Sequence, residues 1–185
     1  MKVLTLNNDS FAEHCRRLEA TVSESFVPDI VIGIANGGVN VAAHMFESLP
    51  HHSVSLKRPS TLKKNRMNGF FSFVRSLPLC VRNGLRIVEA RMLSLKKNKA
   101  IRQPDIDVSA FEGTKSILVV DDAVDSGATL QAVLNSLASL PGRPQIKSAV
   151  ITTTTRHPLV NPDYTLYNNR TLIRFPWSKD YRPEK

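Results

Sequence analysis

The sequence predicts an α/β domain built on a doubly wound, mostly parallel sheet, with a basic helical insertion in its middle. Three observations predict it. Short Val/Ile-rich runs alternate with segments of helical spacing, the pattern of strands joined by crossover helices. Loops rich in glycine and hydroxyl residues follow two of those runs, where such sheets bind ligands. A chain of 185 residues, 42% apolar, is long enough to bury one core. No internal repeat or low-complexity stretch interrupts it.

The elements follow in order. Asn8, Asp9 and Ser10 offer caps, and Ser10 with Glu13 matches a capping box for a helix through Arg17 towards Glu24. Asp29 to Ile34 is an apolar, β-branched run that reads as a buried strand. Ala35-Asn-Gly-Gly38 makes a turn, Val39 to Ser48 reads as a helix, and Ser53 to Leu56 as a weaker strand. After the insertion, Ser116 to Asp121 is a strand and Ala128 to Leu140 a helix stopped by Pro141-Gly142. Lys147 to Thr154 and Thr171 to Phe175 are further strands.

Charge is unevenly spread over a chain of net +9. Between His51 and Pro104 stand 13 Lys and Arg against the single acid Glu89, a net +12, while the remaining residues sum to −3. Val81, Leu85, Val88 and Met92 recur at helical spacing there, with Arg82, Arg86 and Arg91 between them. A basic, amphipathic segment of this kind meets phosphates or remains a solvated face. Its apolar side suits the parent domain or a dimer partner, and no membrane partner is expected. Phe70, Phe71 and Phe73 read as core residues, with stacking on bases as the other option. No apolar run approaches the ~20 residues of a membrane helix, and the N-terminus shows no signal peptide. Cys15 and Cys80 are isolated, which suits free thiols in a cytoplasmic protein and excludes a zinc site or disulfide framework.

The chemistry concentrates in ILVVDDAVDSGATL, Ile117 to Leu130. Asp125, Ser126, Gly127, Ala128 and Thr129 lie between a strand and a helix, so backbone N–H groups and the helix dipole favour an anion. Gly127 admits close approach, and Ser126 and Thr129 add hydroxyl donors. The chain has no G-x-x-x-x-G-K-[ST], so a monophosphate cradle fits better than a nucleoside triphosphate loop. Asp121 and Asp122 repel phosphate, so their targets are hydroxyl groups or a hard cation such as Mg²⁺, reached through water. A sugar with vicinal hydroxyls and a 5′-phosphate satisfies both parts. The plainer alternative is that D-D-x-x-D caps a helix and lines a turn.

These residues resemble the 5-phosphoribosyl-1-pyrophosphate (PRPP) signature of the type I phosphoribosyltransferases. Ile32-Gly-Ile-Ala-Asn-Gly-Gly38 resembles that family's pyrophosphate loop, and Pro162-Asp163-Tyr164 with Phe175-Pro176-Trp177 resembles the hood of its purine branch, xanthine and hypoxanthine–guanine enzymes above all. The similarity spans about residues 25–58 and 114–180. It implies one Rossmann-type domain over residues 1–185, with a basic insertion or lid at 57–104 and a hood at 155–185. It also implies transfer of the phosphoribosyl group of PRPP to a nucleobase or related nitrogen heterocycle, with pyrophosphate released and Mg²⁺ as cofactor. Asp121 and Asp122 would hold the ribose hydroxyls and, through water, the metal. Asp125 would take or orient the acceptor's proton. Residues Asp125 to Thr129 would hold the 5′-phosphate, and Ala35, Asn36, Gly37, Gly38 and Arg58 the pyrophosphate. Thr155, Arg156 and Trp177 would meet the base, Trp177 by stacking or else as a core anchor. Relatives are dimers or tetramers, so a homo-oligomer is expected.

Three positions depart from the family pattern. Asn36 stands where many relatives have Arg or Lys, and Thr155 or Arg156 where the purine branch places a base-reading Lys. The third departure is the insertion itself, whose Arg58, Lys63, Lys64 and Arg66 are candidates to supply the missing charge to pyrophosphate. The alternative function is a non-catalytic PRPP or nucleotide sensor whose basic residues 57–102 bind nucleic acid.

Overall fold

The computed structural model describes residues 2–56, 104–168, 171–178 and 180–182. The expectations for Arg58, Lys63, Lys64, Arg66, the three phenylalanines, Cys80 and the Val81–Met92 helix lie outside the described residues. Elements run β1 (Lys2–Thr5), α1 (Asn8–Ser23), β2 (Ile30–Ile34), α2 (Gly37–Ala42), β3 (His51–Leu56) and β4 (Pro104–Asp105). A 3-10 turn (Val108–Phe111) precedes β5 (Ser116–Val124), α3 (Ala128–Leu137), β6 (Gln145–Thr153), β7 (Tyr164–Tyr167) and β8 (Thr171–Arg174).

Among the described residues one sheet has the order β4-β3-β2-β5-β6-β7, all parallel except β4. All five residues of β2 are buried, because strands flank it on both edges and cores cover both faces. Phe11, Cys15 and Leu18 of α1 pack with Val41 of α2 on Val31, Leu118 and Val120. Leu130, Val133 and Leu137 of α3 pack with Ile32, Ile117 and Val119 in a separate cluster. Helices therefore cover both faces, as a doubly wound sheet requires. From β2 the chain moves outward one way and from β5 the other way, so the switch point lies between them.

The observed elements differ from expectation at their ends. The capping box of α1 is Asn7 with Ser10, not Ser10 with Glu13. Asn7 Oδ1 accepts the Ser10 N–H at 2.8 Å, and Ser10 Oγ accepts the Asn7 N–H at 2.9 Å. The second helix starts two residues earlier and ends six residues sooner than expected, and Phe46 beyond it has φ +50°. Helix α3 stops at Leu137 rather than Leu140. β5 continues three residues past Asp121, because β6 pairs with it as far as Thr153.

Three strands escaped the sequence reading. β4 is two residues long at the sheet edge. β7 is pinned to β6 by Asp163, which accepts from Lys147 Nζ at 2.8 Å and from Ser148 N and Oγ at 2.8 and 2.9 Å. β1 pairs in parallel with β8 as a separate two-stranded sheet. There the buried Arg174 donates to Asp180 at 2.7 Å and to Thr5 Oγ1 at 2.9 Å. Burial raises the thiol of Cys15 to about 12, so it is an inert core residue. Among the described residues no helix is long and apolar enough to cross a membrane.

Candidate active site

The site gathers at the carboxyl ends of β2 and β5, the two strands on either side of the switch point. Gly37 and Gly38 begin α2 directly against β5. A Cβ on Gly38 would strike the Val120 carbonyl, and one on Gly37 would strike the Asp122 carboxylate. Glycine is therefore dictated here by contact with the neighbouring strand, and the loop Ala35–Gly38 is held against the acids. Ala35 N–H donates to Val54 O at 2.9 Å, the Ala35–Asn36 peptide is cis, and Asn36 is exposed.

Asp121 and Asp122 sit within the last residues of β5 rather than beyond it. As residues they are only partly covered, yet burial dominates the titration of both carboxyl groups. Burial first, then the charge of Asp122, pushes the Asp121 carboxyl well above the usual carboxylate range. Asp122 is also raised by burial, while hydrogen bonds from Asp121 and Trp177 pull it back. Asp121 Oδ1 accepts the Asp122 N–H at 2.9 Å. Asp122 Oδ2 accepts from Trp177 Nε1 at 3.2 Å.

The loop expected to hold phosphate, Asp125 to Thr129, follows at once. Gly127 is the N-cap of α3 with φ +77°, the left-handed region that favours glycine. The chain after β6 leans on it. Leu159 N–H donates to Ser126 O at 2.9 Å, and a Cβ on Gly127 would come within 3.0 Å of Leu159 N and Val160 N. Ser126 is exposed and Thr129 half-buried. The first residue of the loop, Asp125, accepts at Oδ1 from Thr154 Oγ1 at 2.6 Å. Thr155 and the exposed Arg156 come next on that same chain segment.

Trp177 is not an isolated stacking platform. Phe175 stacks on it at 5.0 Å and 6°, and Phe11 meets it edge-on at 4.9 Å and 88°. Asp121, Asp122, Gly37, Gly38 and Trp177 thus form one contact group, and Asp125 with Thr154 a second beside it.

Residues 5–182 match the family model of the phosphoribosyl transferase domain. The chain belongs to that family. Its fold is shared with the purine phosphoribosyltransferase from Pyrococcus horikoshii Ot3, at TM-score 0.62 and 21% identity over 100% of both chains. It is also shared with the Helicobacter pylori xanthine-guanine-hypoxanthine phosphoribosyltransferase, at TM-score 0.62 and 17% identity over 95% of this chain and 91% of that one. A hypothetical protein from Neisseria gonorrhoeae with bound ppGpp aligns at TM-score 0.59 and 16% identity, over 95% and 89%. No curated protein sequence matches the chain.

For a phosphoribosyltransferase the arrangement divides cleanly by charge. Carboxylates stand at the strand end, and backbone N–H groups stand on the loops to either side. Among the described residues no group of three or more His, Cys, Asp or Glu gathers as a metal cluster. The adjacent carboxylates of Asp121 and Asp122 are a donor set that would fit Mg²⁺, which takes one or two carboxylates, keeps several waters and draws its remaining oxygens from substrate phosphates. Sequence reasoning missed Thr154 and Phe175 as partners of site residues. Alternation along β6 placed Thr154 at its tip, but nothing local showed that Asp125 folds back to it.

Proposed function

We propose that this phosphoribosyltransferase uses PRPP and Mg²⁺ to build an N-glycosidic bond to a nucleobase or related nitrogen heterocycle. The observation that carries it is the junction of Asp121 and Asp122 with two glycine-dependent anion loops at the switch point. Asp121 and Asp122 accept the ribose hydroxyls, and residues Asp125 to Thr129 hold the 5′-phosphate. Ala35 to Gly38, with Arg58, receive the pyrophosphate. The bond between the anomeric carbon and the pyrophosphate oxygen breaks as the acceptor nitrogen attacks, through an oxocarbenium-like transition state. The nitrogen's proton passes to Asp125, whose orientation Thr154 holds. When bound, Mg²⁺ would be held at Asp121 and Asp122 through water and would offset charge on the leaving pyrophosphate.

Thr155, Arg156 and the uncovered part of Trp177 face the acceptor in this reading. Without the base-reading Lys at that place, Thr155 or Arg156 stands where the six-position oxygen of a purine would be read. The insertion at 57–104 acts as a lid and 155–185 as the hood, in a cytoplasmic homo-oligomer serving nucleotide salvage. Asn36 favours a second reading, a PRPP or nucleotide sensor whose segment 57–102 binds nucleic acid. Calorimetric titration with PRPP and Mg²⁺, paired with a gel shift on RNA and DNA, separates the two. Transfer predicts PRPP binding and no salt-sensitive shift. A shift accompanied by PRPP binding without turnover supports the sensor, and folded protein that binds neither PRPP nor any nucleotide overturns both.

A further inference from the structure

Asp122 Oδ2 is reached by three segments remote in sequence. It belongs to the PRPP signature, it lies against Gly37 of the pyrophosphate loop, and it accepts the indole N–H of Trp177 at 3.2 Å. The indole is not free to drift. Phe175 and Phe11, 4% and 3% exposed, belong to the core beneath α1 and fix its plane by stacking and edge contact. A rigid ring that delivers one N–H to one oxygen holds the carboxylate's rotamer in place for a ligand. We infer that Trp177 is a positioning residue that acts on PRPP through Asp122, so that the C-terminal segment completes the ribose subsite before any acceptor arrives. The inference rests on the reading that Asp122 binds the ribose of PRPP, and it moves the main effect of Trp177 from the base to the sugar.

The test uses Trp177→Phe, which keeps an aromatic ring on Phe175 and removes the N–H. Titration with PRPP and Mg²⁺ is expected to show affinity falling roughly tenfold, the scale of one hydrogen bond to a charged group. The KM for the acceptor, chosen from adenine, guanine, hypoxanthine and xanthine by wild-type turnover, stays within twofold. A variant with unchanged PRPP affinity, or one in which only the acceptor KM rises, overturns the inference while the transferase reading stands. Trp177 is the single tryptophan of the chain, so one indole N–H resonance reports on the wild-type protein without mutation. It should shift on adding PRPP and Mg²⁺ alone. A resonance that moves only with the base overturns the inference, and wild-type protein that fails to bind PRPP removes this inference together with its parent.

Discussion

At the end of β5 two carboxyl groups stand side by side with little solvent, and the charge of one opposes ionisation of the other. Asp121 is pushed upward first by burial and then by Asp122. A group whose folded-state titration is raised contributes stability below its unfolded pKa of about 4 and loses it as pH rises through the folded value. Burial therefore works against ionisation of this pair as pH rises. Asp121→Asn should raise the melting midpoint at pH 8, with the gain vanishing towards pH 4, while PRPP binding is lost. Scanning calorimetry across that range checks it, and a lower midpoint at pH 8 would contradict the burial argument. Gly127 makes a steric case at the same scale. Its φ of +77° disfavours any side chain, and the 3.0 Å approaches of Leu159 and Val160 would have to widen by a few tenths of an ångström to admit a Cβ. Gly127→Ala should cost about 1–2 kcal/mol from the left-handed backbone alone, measured by denaturant midpoint, and should also weaken binding of a 5′-phosphate.

Among the elements, β7 shows how a sequence motif can serve architecture. Pro162-Asp163-Tyr164 resembles a hood motif, yet Asp163 spends its carboxylate on Lys147 and Ser148 and so fixes β7 at the sheet edge. Partial burial works to raise that carboxyl. The hydrogen bonds from Lys147 and Ser148 outweigh it and hold the group below the usual range. Its stabilisation is thus present above the unfolded pKa and lost as pH falls through the lowered folded value. Asp163→Ala should destabilise by about 1–2 kcal/mol at pH 7, discounted for partial exposure, with the difference shrinking below pH 4. An equal loss at pH 3 and pH 7 would rule out the ionised Asp163 as its source. Strands of long apolar runs, β2, β5 and β6, were legible because period and composition alone define a buried parallel strand. β1, β4 and β7 were not, because each is held by partners remote in the chain, β8, β3 and β6, that no local pattern records. The start of α2 was hidden too, since it is set by glycine contacts with β5 that no local pattern records.

The whole molecule places its chemistry where two halves of the sheet diverge. Position along the chain singled out Asp121, Asp122 and the segment Asp125 to Thr129 as candidates, because acids and small residues meet there at a strand–loop–helix junction. The grouping of Asp122 with Gly37 and Trp177, and of Asp125 with Thr154, was not legible. Those contacts join residues 29 to 85 positions apart and arise only from the winding of the sheet. The central claim is that this convergence turns PRPP over, and pyrophosphate release tests it most directly. Wild-type protein with PRPP and Mg²⁺ should release pyrophosphate in step with consumption of one base from a panel of purines and related heterocycles. The folded Asp121→Asn, Asp122→Asn double variant should release none above background. Undiminished release by that variant, or no release by wild-type protein on any base despite bound PRPP, would contradict the account.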